Sequence, residues 1–353
     1  MNTVALHDEA WPYVLTLLPA NFEETARSSH ALVRARNIPN AAALLRLTLA
    51  YAVSDLSLKD VAAWGRAMDV ADITGPGLFY RLREAEGWLE QMLADTLQAD
   101  VQATPVGILG RVRIVDATVI TGPGSKGTDW RVHAMMDPAS GTLCSVEVTD
   151  AHGGENYGRY PLGSGDIVIG DRGYARARGI ATVHEAGASV ITRLSPASIR
   201  LCDLQQQVLN VTSLEASVPQ VGCEEWSILL PVPPDTDKKS WALAHAVAWI
   251  PARLIGGRTR DGEVIWLLST VERTELAAVE VMRLYRLRWQ VELAFKRLKS
   301  LLHLDALPTR QGPTARSWLL AKLLAAALAD RLTKLAESFS PWGYELPEAR
   351  IRA

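Results

Sequence analysis

Cysteine is scarce in this chain of 353 residues. Cys144, Cys202 and Cys223 are odd in number, widely spaced and form no C-x-x-C pair, which argues against a disulfide framework or a cysteine-built zinc cluster. That usage fits a reducing cytoplasm. Long apolar runs are also missing. The most apolar segment, Leu319 to Leu332, is interrupted by Lys322 and Asp330 and is too short to span a bilayer. The N-terminus carries Asp8 and Glu9 with no basic stretch ahead of an apolar run, so it does not read as a secretory signal. Positive charge is not in excess either: the net charge is −2, which does not advertise a nucleic-acid binder. There is no G-x-S-x-G motif, and the glycine loop His152-Gly153-Gly154 lacks the Lys-Ser/Thr of a phosphate-binding P-loop. No internal repeat or low-complexity tract appears.

What is present is a globular composition, 48% apolar and 22% charged, in a chain long enough for two or three domains. Charge is unevenly distributed. Between Arg283 and Arg316 eight basic residues stand against Glu292 and Asp305, an excess of six, and such local basic faces set phosphate affinity better than the net sum. At the centre of this stretch lies Tyr285-Arg-Leu-Arg-Trp-Gln-Val-Glu-Leu-Ala-Phe-Lys-Arg-Leu-Lys299. It has no Gly or Pro and repeats apolar residues three to four apart, so it reads as one helix. At about 100° per residue, Tyr285, Arg288, Glu292 and Lys299 share an arc of roughly 60° and Lys296 joins them. One carboxylate ringed by phosphate-binding side chains suggests metal-dependent phosphoryl transfer on nucleic acid. The plainer reading is an i,i+4 Arg288–Glu292 pair that supports a solvated helix.

Residues 1–104 read as all-helical. Leu58–Met68, capped by Ser57, and Leu78–Trp88, opened by Thr74-Gly-Pro-Gly77, form two short helices about a turn. The second carries Tyr80, Arg81 and Arg83, as a DNA-reading helix-turn-helix does, although helical hairpins occur in any bundle. From about 105 the period changes to that of strands. Arg111–Ile120, Trp130–Asp137 and Thr142–Thr149 form a meander, Asp166–Asp171 is a buried-type strand, and Ala188–Arg193 is another. Residues 196–261, rich in Val and Trp and broken by Pro231, Pro233, Pro234 and Gly256-Gly257, read as a β-rich insertion. Glu263–Thr270 looks like a returning strand, and a last helix runs from about Thr314 to Glu337.

Two aspartates stand out. Asp116 lies inside an apolar strand, and Asp171 ends another just before Arg172-Gly173-Tyr174. A carboxylate in a buried strand is costly unless it binds a metal or an ion-pair partner, and strand ends are where α/β sheets place their sites. The plainer readings are a helix N-cap for Asp171 and a strand-edge pair with Arg111 or Arg113 for Asp116. Three carboxylates without a Cys/His cluster suit Mg²⁺ or Mn²⁺ rather than zinc.

The spacing Tyr285-x2-Arg288-x3-Glu292-x6-Lys299, with Arg288-Trp289, Asp116-Ala-Thr118 and Gly170-Asp-Arg-Gly-Tyr174, resembles the signature of DDE transposases of the insertion-sequence-4 type. Their best-known members are cut-and-paste enzymes that form DNA hairpins. The resemblance covers roughly residues 105–310. It implies an α/β fold with a ribonuclease-H-like catalytic core (105–195 and 262–310), a β-rich insertion (196–261), an N-terminal all-helical DNA-binding domain (1–104) and a C-terminal helical tail (311–353). It further implies that Asp116, Asp171 and Glu292 ligate two Mg²⁺ ions, with Mn²⁺ as substitute. Tyr285, Arg288, Lys296 and Lys299 would bind phosphates of the transposon end. Trp266, which opens Trp-Leu-Leu-Ser-Thr, would stack on a flipped base, the plainer reading being core filling in a strand. The implied partners are double-stranded DNA with terminal inverted repeats, target DNA and a second copy of the chain in a homodimer, and no membrane. The implied location is the bacterial cytoplasm, at the nucleoid. The tail Ser340-Pro-Trp-Gly-Tyr-Glu-Leu-Pro347 is short for this group and reads as a compact or truncated C-terminal portion. The alternative function is a catalytically inactive, transposase-derived DNA-binding regulator.

Overall fold

The computed structural model describes residues 11–101, 107–196, 198–234 and 241–338. Asp8, Glu9, the tail 340–347 and the expected domain boundary at 104/105 lie outside them. The chain divides into two compact units, one of residues 1–99 and 307–353 and the other of residues 100–306.

The first unit is helical: α1 (Trp11–Thr16), α2 (Phe22–Ser28), α3 (Ala41–Val53), α4 (Leu58–Ala67), α5 (Gly75–Glu84), α6 (Glu86–Val101) and, from the far end of the sequence, α10 (Gly312–Ser338). Ser57 caps α4 as expected, accepting from the Asp60 N–H, and α5 begins at Gly75 rather than Leu78, capped by Thr74, which accepts from the Gly77 N–H. The helix expected over 78–88 is instead split, because α5 stops at Glu84 and α6 begins at Glu86. The last helix does not form a separate tail. It buries Trp318, Leu319, Leu320, Leu323 and Leu324, packs against α3 and α5, and is tied to α6 by Arg316, which bonds Glu86 and, at 2.7 Å, Glu90. Apolar surface of this size must be covered, and at roughly 1.5–3 kcal/mol per large side chain its burial makes α10 part of this unit.

The second unit is a mixed α/β layer. Its strands are β1 (Val112–Ile120), β2 (Trp130–Asp137), β3 (Thr142–Asp150), β4 (Ile167–Gly170), β5 (Ser189–Leu194), β6 (Cys223–Val232), β7 (Ala248–Arg258) and β8 (Val264–Ser269). They form one eight-stranded sheet in the order β3-β2-β1-β4-β5-β8-β7-β6. β1, β2 and β3 make the antiparallel meander, while β1, β4 and β5 run parallel. α7 (Ala177–Glu185) is the crossover between β4 and β5, the connection that a parallel pair requires. β4 is buried at all four residues, which explains its unbroken apolar run. The strands of the expected insertion do not build a sheet of their own: β7 pairs with β8 and β6 with β7, extending the same sheet. Unpaired strand edges need partners, and β8 supplies one.

The segment read as one helix from Tyr285 is also divided. α8 (Ala278–Tyr285) passes through a 3₁₀ turn at Arg286–Arg288 into α9 (Trp289–Leu302). Three residues at roughly 120° rather than 100° rotate the two halves by about 60° relative to an unbroken helix. No sequence breaker marks the place.

Candidate active site

The site begins with strand register. Ile114 of β1 pairs with Ile169 of β4 in the parallel ladder. Asp116, in the middle of β1, and Asp171, just past the end of β4, each lie two residues further on, so strand periodicity brings them side by side on one face of the sheet. Each carboxylate is held locally. Asp116 accepts from the Ala117 N–H at 2.8 Å, and Asp171 caps the 3₁₀ turn Arg172–Tyr174 by accepting from the Gly173 N–H at 2.8 Å. The N-cap reading of Asp171 and its place in an acidic pair are therefore both true. Arg111 and Arg113 are not the partners of Asp116: they pair with Glu275 at 2.5 Å and Asp166 at 3.7 Å.

Asp116 pairs with Arg288 instead, whose Nη1 is 3.8 Å from Asp116 Oδ2 and 2.6 Å from Glu292 Oε1. The guanidinium also lies over the Tyr285 ring, 5.9 Å from its centroid. One arginine thus links the strand-borne acid to the helix-borne acid, and the i,i+4 pair does more than support a solvated helix. Burial raises the Asp116 pKa from the ordinary 3.8 to about 6. The Ala117 N–H opposes this, Asp171 and Glu155 add to it, and Arg288 counters it. Burial likewise raises the Tyr285 phenol.

The cleft, about 530 Å³, is lined by Asp116, Thr118, Glu292, Lys296, Lys299 and Asp305, among others. Lys299 Nζ donates to the Val119 carbonyl at 3.2 Å, so α9 lies along the end of β1. Seven of the eight expected residues therefore gather around the second half of β1, the end of β4 and the start of α9, namely Asp116, Asp171, Glu292, Tyr285, Arg288, Lys296 and Lys299. Trp266 does not join them. It is 4% exposed in β8, packs on Trp226 with ring centroids 5.7 Å apart, and fills the space above Gly256. Its place is the sheet core, as the core-filling reading expects. Trp289, which follows Arg288 at the start of α9, is 53% accessible.

One residue escaped the sequence reading. Glu155, in the loop after β3, lays its carboxylate against the Gly173 backbone, so that a Cβ at Gly173 would overlap it. Burial raises the Glu155 pKa, and the neighbouring Asp171 adds to that effect. Glu155 stands in no recognisable spacing to the other acids. The one local signal was the glycine two places after Asp171.

Among the described residues, no three His, Cys, Asp or Glu side chains stand close enough to hold one metal ion. The donors nevertheless fit a hard cation. Asp116 and Asp171 repel each other and are only partly neutralised, and all the donors are oxygens. Glu292, 52% exposed, is turned toward Arg288 and would complete the set by rotating away from it.

Two aspartates side by side on one face of the sheet, joined through Arg288 to a glutamate on a helix, make a carboxylate cluster beside a cleft lined by lysines. The transposase DDE domain family matches residues 108–328. The transposase for insertion sequence element IS421 of Escherichia coli is 33% identical over 361 residues, covering 95% of this chain and 96% of its own length. The InsL protein of insertion sequence element IS186A of Escherichia coli K12 is also 33% identical, with the same coverage. The chain is similar, at 11% identity and a TM-score of 0.47, to a piggyBac transposase solved in a synaptic complex with hairpin DNA, over 84% of this chain and 66% of that one. The chain belongs to the DDE transposase family and is of the insertion-sequence-4 type. No described helix is long and apolar enough to cross a membrane.

Proposed function

We propose that this chain binds the terminal inverted repeats of a mobile element and catalyses metal-dependent strand cleavage and strand transfer. The observation that carries the reading is the register that brings Asp116 and Asp171 side by side, with Arg288 joining Asp116 to Glu292. The order strand-Asp116, strand-Asp171, further strands, helix-Glu292 supports a ribonuclease-H-like core. Asp116, Asp171 and Glu292 would hold two Mg²⁺ ions, or Mn²⁺ in their place, which when bound activate a water or a 3′-hydroxyl and stabilise the leaving oxygen.

The remaining work belongs to this chain's own side chains. Lys296 and Lys299 line the cleft and neutralise phosphates of the element end. Arg288 and Tyr285 bind the phosphate next to the scissile bond, the guanidinium as a two-pronged donor. Trp289 offers an exposed face on which a base can stack. In the first step a water oxygen attacks phosphorus and the P–O3′ bond breaks, leaving a 3′-hydroxyl. That hydroxyl attacks a phosphodiester of the opposite strand, expelling that strand's 3′-oxygen as a hydroxyl and closing a hairpin; a second water then opens the hairpin, and the freed 3′-hydroxyl attacks the target DNA, expelling a target 3′-hydroxyl. The helical unit, with exposed Tyr80 and Arg83 on α5, reads the repeat, and a homodimer brings two ends together.

The test is cleavage of labelled DNA carrying the element's own terminal repeat, with Mg²⁺, Mn²⁺ or Ca²⁺, resolved on denaturing gels. Nicks at the repeat boundary in Mg²⁺ or Mn²⁺, abolished in Asp116→Ala, are expected, and a hairpin band would mark the hairpin route. Tight binding without cutting in any ion would overturn the catalytic reading in favour of a regulator.

A further inference from the structure

Beneath the acidic pair lies a set of buried hydroxyls that cleavage chemistry does not itself require. Thr192 is fully buried in β5, directly opposite Gly170 in the parallel ladder. A buried hydroxyl in an apolar strand is costly unless it is bonded, and Thr192 Oγ1 donates to the main-chain carbonyl of Asp171 at 2.9 Å. The same carbonyl accepts from the Tyr174 N–H at 3.2 Å. β4 has ended one residue earlier, so these bonds replace the ladder in holding the Asp171 peptide.

On the other side, Tyr160 Oη lies 3.4 Å from the Asp116 carbonyl and 2.8 Å from Tyr174 Oη. Both tyrosines are buried. A carbonyl can only accept, so Tyr160 gives its single proton to Asp116, and Tyr174 must donate to Tyr160. Tyr174 belongs to the turn that Asp171 caps. The hydroxyl chain therefore runs from the Asp171 turn, through Tyr174 and Tyr160, to the Asp116 backbone. Gly170 makes room for this packing: a Cβ there would lie 2.6 Å from Tyr157 Oη and 3.0 Å from Tyr174 Cβ.

We infer that Thr192 and Tyr160 are positioning residues that, with Tyr174, fix the separation of the Asp116 and Asp171 carboxylates from below. The inference rests on the proposed role of those aspartates as the metal-holding pair. Two carboxylates that repel each other drift apart unless their backbones are held, and a constellation of this kind tolerates only about 0.5 Å of displacement. Supports one step behind the ligands typically change metal affinity or activity by about 10–100-fold.

The experiment measures Mn²⁺ binding by the free protein, from the electron paramagnetic signal of unbound Mn²⁺, alongside binding of repeat-end DNA in Ca²⁺. The variants are Thr192→Val, Thr192→Ser, Tyr160→Phe and Asp116→Ala. Thr192→Val and Tyr160→Phe should weaken Mn²⁺ binding by about tenfold while end-DNA affinity stays within about twofold. Thr192→Ser, which restores the hydroxyl, should recover the wild-type value. If Thr192→Val does not fold, Tyr160→Phe decides. Unchanged Mn²⁺ binding in folded Thr192→Val and Tyr160→Phe, with Asp116→Ala impaired, overturns this inference alone. Wild-type Mn²⁺ binding in Asp116→Ala overturns the proposed metal site itself.

Discussion

Asp116→Asn should abolish cutting and yet make the protein more stable. The Asp116 side chain is 14% exposed, and burial, with Asp171 and Glu155 nearby, lifts its pKa from 3.8 to about 6. Each tenfold change in proton affinity is worth about 1.4 kcal/mol, so keeping this carboxylate ionised in the fold costs up to about 3 kcal/mol. Because the folded pKa lies above the unfolded one, the penalty is absent below about pH 4. It grows between about pH 4 and 6 as the unfolded chain ionises first, and it is complete above about pH 6. The uncharged Asn should therefore gain up to about 3 kcal/mol at pH 8 and almost nothing near pH 4. Urea unfolding of both proteins at the two pH values, followed by tryptophan fluorescence, reads this directly. Mn²⁺ added at pH 8 should stabilise the wild type more than the variant, since a ligand stabilises only the form that binds it. An Asp116→Asn protein no more stable than wild type at pH 8, or equally stabilised at both pH values, would refute the argument that burial and repulsion strain this carboxylate.

Three further outcomes follow from the geometry. Lys299→Ala should weaken binding to repeat-end DNA and reduce the slope of log affinity against log salt by about 1, as measured by anisotropy over a salt series. An unchanged slope would remove Lys299 from the phosphate contacts. Gly170→Ala should cost about 1–3 kcal/mol of stability, because the added methyl meets the Tyr157 hydroxyl and the Tyr174 side chain in a packed interior; urea midpoints would show it. Trp266→Ala should lower stability by about 3–5 kcal/mol through the cavity it leaves, while end-DNA binding by the remaining folded protein stays unchanged. A selective loss of binding in that variant would return Trp266 to the DNA interface.

Much of the architecture was readable from local chemistry. β-Branched runs marked the first strands to within a residue or two, Ser57 and Thr74 marked helix starts, and the unbroken apolar run of β4 announced burial on both faces. The Tyr285-to-Lys299 spacing and the two misplaced-looking aspartates named seven residues that the fold gathers. Local pattern misled where the deciding partner was distant. Trp266 looks the same in sequence whether it faces DNA or Trp226. The strands of 196–261 looked like a separate module because nothing local says that β7 pairs with β8. Glu155 carried no spacing signal, since its relation to Asp171 exists only through the fold.

The sequence by itself determined which side chains are available: carboxylates without a Cys/His cluster, a cationic helix bearing one carboxylate, and aspartates whose burial demands a partner. Those are properties of residue type and short-range period, which any sufficiently long segment carries alone. Tertiary structure decided which of these groups meet. The parallel register of β1 and β4 set Asp116 beside Asp171, a 3₁₀ turn placed Arg288 between Asp116 and Glu292, and Tyr160, Tyr174 and Thr192 closed beneath the pair. Register and packing depend on contacts between residues far apart in the chain, and it is those contacts that turn a set of suitable side chains into a site.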